Sequence, residues 1–119
     1  MTARRTNPDF LNGVPELLIL RLLSARPMYG YQLVQAIRLS TNAALEFGEG
    51  CVYPILHRLE ADGLLIGRRE TAGGRNRVVY CVTSRGAKRL DESAAAWRRV
   101  VVAVQGALQG GADVGPAVA

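Results

Sequence analysis

The chain has 119 residues, 49% of them hydrophobic, which suits one small domain with an appendage and a modest core. No run of about 18 uncharged apolar residues crosses a bilayer, and no signal-peptide apolar stretch separates the basic N-terminus from Asp9, so the expected location is cytoplasmic. The formal net charge of +5 favours an anionic partner, while two distant cysteines, Cys51 and Cys81, and a single histidine, His57, exclude a zinc set and leave no cofactor to expect.

Residues 1–9 are polar, contain Pro8, and read as a flexible arm. Residues 14–23, VPELLILRLL, form a first helix, with Pro15 and Glu16 suited to its first turn. Its apolar content is nearly all-round, so it should be the most buried helix, and Pro27 ends it. A second helix starts near Tyr29-Gly30-Tyr31 and sets Leu33, Val34 and Ile37 on one face. Residues 40–50 follow as a loop in which Ala43-Ala44-Leu45 is a candidate extra helical turn.

The third helix is expected over residues 50–62. Val52, Ile55, Leu56 and Leu59 make its buried stripe; Tyr53, Pro54, His57, Arg58 and Ala61 face the other way. Pro54 fixes the first turn, and Gly63 is the left-handed stop. The period then changes to two. Strands are expected over 64–70 and 77–83, joined by a flexible tip at 71–76. Thr83 is the N-cap of a last helix in which Ala87, Leu90, Ala94, Trp97, Val101, Val104 and Leu108 recur at alternating steps of three and four. That is a heptad seam, and it predicts a dimer. The glycine-rich tail beyond it has little to pack and reads as disordered.

The expected fold is therefore mainly α with a small β-hairpin. A winged helix-turn-helix domain spans 10–83, a dimerisation helix 84–108, and a tail 109–119. In this arrangement the third helix fits the major groove of duplex DNA and the hairpin lies along the backbone or minor groove. Charge agrees with this pattern. Residues 50–90 hold eight arginines and lysines against three acids, which is the whole excess of the chain. Clustered cations at phosphates release condensed counterions.

Three stretches, LNGVPELLILRLLSARPMYGYQLVQAI, GEGCVYPILHRLEADGLL and GGRNRVVYCVTSRGAKRL, resemble the PadR family of transcriptional regulators over residues 11–90. The resemblance implies a homodimeric repressor on an inverted-repeat operator, dimerised through the C-terminal helix. It also implies release by a small aromatic effector, as in some members. Cys51 departs from the Ser or Thr usual before the Tyr-Pro pair, and the single C-terminal helix suits the shorter branch.

On these grounds the DNA-binding candidates are Tyr31, Gln32 and Gln35 in the second helix and Cys51, Tyr53, Pro54, His57 and Arg58 in the third. Gly74, Arg75, Asn76 and Arg77 are the candidates in the wing. Tyr53 is a contact by the resemblance, the alternative being that it packs across the domain. Arg58 suits guanine or phosphate, and glycines beside Arg75 and Arg77 allow close approach to the backbone. Trp97 is either dimer core or the wall of a groove for a planar ligand. Cys51, at a helix start among basic residues, either has a lowered thiol pKa, which would suit a redox sensor, or merely replaces a small hydroxyl residue. A protein–protein adaptor is the competing class, and it would not need the unbalanced arginines. No nucleophile–base pair or phosphate loop supports an enzyme.

Overall fold

The computed structural model describes residues 13–110. The expected arm at 1–9 and tail residues 111–119 lie outside the described residues. The order is α1 (Val14–Ala25), β1 (Met28–Tyr29), α2 (Gly30–Ser40), α3 (Glu49–Ala61), β2 (Leu65–Ala72), β3 (Arg75–Val82) and α4 (Ser84–Gly110). The sheet is antiparallel in the order β1-β3-β2. This is a winged helix with a long C-terminal helix.

Each boundary has a local cause. Gly13, at φ 86°, accepts from the Leu17 amide and opens α1, with Pro15 in its first turn. Arg26 turns extended ahead of Pro27 and closes it. The backbone N–H of Tyr29 donates to Gln32 Oε1 at 3.1 Å, which settles one orphan donor at the start of α2. At the end of α3, Gly63 takes φ 78°; Leu64 N–H reaches Leu59 O and Gly63 N–H reaches Glu60 O. These two bonds are the paired closure of a left-handed C-cap.

Four local expectations need correction. The turn at Ala43-Ala44-Leu45 is not helical, because Asn42 and Ala43 both take positive φ while Phe47 is buried as the loop's anchor. The wing tip is tighter than expected: Thr71 pairs with Asn76 and Ala72 with Arg75, so only Gly73-Gly74 turns. Both glycines have positive φ, the condition for a two-residue turn whose twist matches its strands. Pro54 lies past the first turn of α3, since the helix begins at Glu49; it denies the Gly50 carbonyl an amide partner on an exposed face. α4 continues through Gly106 to Gly110, past its expected end.

One core joins all three first helices to the sheet. Ile19, Leu20 and Leu23 of α1 meet Leu33 and Ile37 of α2, Phe47, and Val52, Leu56 and Leu59 of α3. Met28, Leu64, Leu65 and Tyr80 close it from the sheet side. α4 is seated on this core by Thr83 and Gly86. Thr83 Oγ1 donates to Gly63 O at 2.8 Å and accepts from the Gly86 amide at 3.0 Å. Gly86 has no side chain because the Leu64 carbonyl occupies the space a Cβ would need.

Candidate nucleic-acid interface

With about 3.6 residues per turn, burial of Val52, Leu56 and Leu59 leaves Gly50, Pro54, His57 and Ala61 along the outer line of α3, and all four are exposed. The exposed line carries small side chains, with His57 as its one hydrogen-bonding group. Tyr53 and Arg58 lie on opposite flanks, and each is engaged inside the protein.

Tyr53 is half-buried. Its ring lies over Gly30, where an added Cβ would sit 2.5 Å from Cε1 and Cζ. Burial pushes its hydroxyl pKa up, and the negative charge of Glu49 adds to that. The ring of His57 stands 6.3 Å away, tilted by 47°. On the other flank, Arg58 Nη1 is 3.0 Å from Glu16 Oε1, and Arg89 Nη1 is 3.1 Å from Glu16 Oε2. One carboxylate of α1 thus holds an arginine from α3 and another from α4. Sequence reasoning assigned Glu16 only to the helix dipole. Its signal was that it is the sole acid of a largely apolar helix.

Cys51 corrects a further expectation. It is half-buried at the start of α3, and burial pushes its thiol pKa up. Burial disfavours the thiolate, so the thiol is not the activated one that a helix start among basic residues suggests.

On α2, Tyr31 is 50% exposed, and its hydroxyl accepts from Gln35 Nε2 at 2.9 Å. Gln32 is committed to capping Tyr29. The pairing register places Arg68, Glu70 and Ala72 of β2, Arg75, Arg77 and Val79 of β3, and Tyr29 of β1 on the outer face of the sheet. Arg77 is half-buried, with its guanidinium carbon 4.5 Å above the centre of the Tyr29 ring. Asn76 Oδ1 accepts from Thr71 Oγ1 at 3.0 Å across the hairpin. Arg75 is exposed beside Gly74 at the tip. The structure therefore brings the predicted wing residues together but divides them: Gly74 and Arg75 point outward, while Arg77 and Asn76 brace the hairpin.

The seam residues of α4 also divide. Leu90 packs against the protomer's own core, and Ala94 and Val101 are half-buried. Trp97 is 43% exposed and Leu108 80%, with Ala87 and Val104 also exposed. Trp97 borders a groove with Val14 and Leu17 of α1 and with Ser93 and Val100 of its own helix. No helix among the described residues is long and apolar enough to cross a membrane.

Comparisons with known proteins point one way. Residues 19–92 match the model of the transcriptional regulator PadR-like family. Transcriptional regulator Rv3488 of Mycobacterium tuberculosis is 34% identical over 84 residues, 71% of this chain and 76% of that one. A PadR-like transcriptional regulator of Bacillus cereus superposes with TM-score 0.73 at 30% identity, over 85% of this chain and 97% of the other. The protein smu.1704 of Streptococcus mutans does so with TM-score 0.72 at 32% identity, over 82% and 88%.

Proposed function

The chain belongs to the PadR-like family of transcriptional regulators, and on that premise we propose that it is a homodimeric repressor that binds an inverted-repeat duplex in the cytoplasm. α3 enters the major groove with His57 and the exposed backbone around Gly50 and Pro54, while Tyr53 and Cys51 edge that surface. Arg75 and Gly74 meet phosphate or the minor groove from the wing. Tyr31 and Gln35 face the backbone from α2. Gln32, Arg58, Asn76 and Arg77 serve by holding these elements in place.

The observation that carries this reading is Arg75. It is exposed at the tip of a hairpin held by paired strands and by the cation–π contact of Arg77, two residues along β3. A rigid, outward arginine on a wing suits a polyanion. An adaptor surface gains nothing from it.

Dimerisation is assigned to the exposed apolar line of α4: Trp97, Val104 and Leu108, with Ala87, Ala94, Val101 and the half-covered Leu90 continuing it. The groove beside Trp97 supports the effector reading, since an indole facing apolar side chains of α1 is a surface on which a planar aromatic compound can stack. A planar dye that quenches Trp97 fluorescence and releases bound duplex supports an effector. A dye that does neither opposes one.

Selection of bound sequences from a random duplex library, with a mass measurement in solution, tests the whole. Enrichment of an inverted repeat by a dimer is expected. A monomer, or no enrichment, overturns the proposal.

A further inference from the structure

We propose that Glu16 is a positioning residue for duplex recognition, tying α3 to α4 so that the setting of the dimer helix fixes the spacing of the two recognition helices. The inference rests on the duplex-binding reading above.

Glu16 uses both carboxylate oxygens, one on each of two helices. Oε1 takes Arg58 of α3 at 3.0 Å, and Oε2 takes Arg89 of α4 at 3.1 Å. Its side chain is only 16% exposed, whereas both arginines are about half exposed. A carboxylate this covered is costly to leave unpaired. The arginine ends are wet, so these pairs add little to overall stability. Their consequence is geometric. Beside this strut, α4 is held by the Thr83 cap, by Gly86 on the Leu64 carbonyl, by Leu90 in the core and by Val14 and Leu17 of α1, which border Trp97. Those other contacts are apolar or lie at the start of the helix. The Glu16 bridge is the polar link from α4, through α1, to the recognition helix.

In a two-fold dimer the angle between α4 and the winged domain sets the distance between recognition helices, and so the half-site spacing. Loss of the strut loosens that angle without altering any group on the exposed line of α3 or at the wing tip. The expected effect is on spacing, not on the contact made by one protomer.

The test titrates wild type and Glu16→Gln on the selected inverted repeat, on versions with one base pair added or removed between half-sites, and on a single half-site. Glu16→Gln is expected to reduce the spacing preference about three- to fivefold, the scale of a weak ion-pair network. Single half-site affinity should change less than about twofold on the same scale. Arg89→Gln, on α4 rather than on the recognition helix, should give the same pattern, and it carries the test if Glu16→Gln does not fold. An unchanged spacing preference overturns the inference. So does an equal loss on every duplex, half-site included, because that pattern marks destabilisation or a lost Arg58 contact. A wild type that selects no inverted repeat overturns the duplex reading itself and the inference with it.

Discussion

The Tyr53 ring occupies the space directly above Gly30, so α3 meets the first residue of α2 through one aromatic side chain. A methyl on Gly30 would stand 2.5 Å from the ring carbons. Gly30→Ala should therefore push the ring aside and destabilise the fold by about 1–3 kcal/mol, as overpacking does. In a Tyr53→Ala background the same change should cost nearly nothing. Urea unfolding of the two single variants and the double variant measures the coupling; additive losses contradict the contact.

Gly86 faces a backbone atom rather than a movable ring. The Leu64 carbonyl cannot swing away, so Gly86→Ala must lift the start of α4 off the domain. A loss of at least about 3 kcal/mol is expected, at the upper end of overpacking effects. The comparison with Gly30→Ala is the informative one: Gly86→Ala should be the more damaging, and the reverse order would refute the packing described for α4.

At the wing, Gly73 and Gly74 have φ of 58° and 77°. A β-branched residue at either position meets the left-handed penalty, roughly 1–2 kcal/mol. Because both lie far from the core, Gly74→Val should fray β2 and β3 locally. Hydrogen exchange at Glu70 and Arg77, a hydrogen-bonded pair of the ladder, should accelerate while α1 amides keep their protection. Gly73→Asn should leave the hairpin intact, since asparagine tolerates the turn.

Stability should fall on the alkaline side. Burial raises the pKa of Cys51, Tyr53 and Tyr80 above their ordinary values of 9.0, 10.0 and 10.0. The unfolded chain then releases these protons at lower pH than the folded one, which favours unfolding. The folded-state contribution is complete below about pH 9, the ordinary thiol range, and is lost as pH rises through the raised values. Denaturant melts from pH 7 to 11 should show a decline starting near pH 9, and Tyr80→Phe should soften it. For the same reason, alkylation of Cys51 at pH 8 should be slower in the folded protein than in urea.

Much of this fold is legible along the chain. The buried stripe of α3, the stop at Gly63, the cap at Thr83 and the hairpin all depend on neighbours within a few residues, and periodicity or turn chemistry reports such neighbours. β1 escaped because two residues cannot display a period of two; Met28 and Tyr29 become a strand only when Tyr80 and Val79 arrive beside them. The site was less legible than the fold for the same reason. Arg58, Tyr53 and Arg77 stand where outward-facing residues are expected, yet Glu16, Gly30 and Tyr29 engage them from distant parts of the chain. Cys51 lies at the helix start that the sequence suggests, but its burial, which raises the thiol pKa, depends on packing that sequence position does not report.

In the proposed complex the exposed Arg75 of the wing meets a phosphate. The most direct test is the salt dependence of binding to the selected inverted repeat, compared between wild type and Arg75→Ala. Each phosphate contact contributes about 0.9 to the slope of log K against log salt. Arg75→Ala should flatten the slope by roughly that amount per protomer, close to two for a dimer on both half-sites. An unchanged slope, with wild-type affinity retained, would contradict the account.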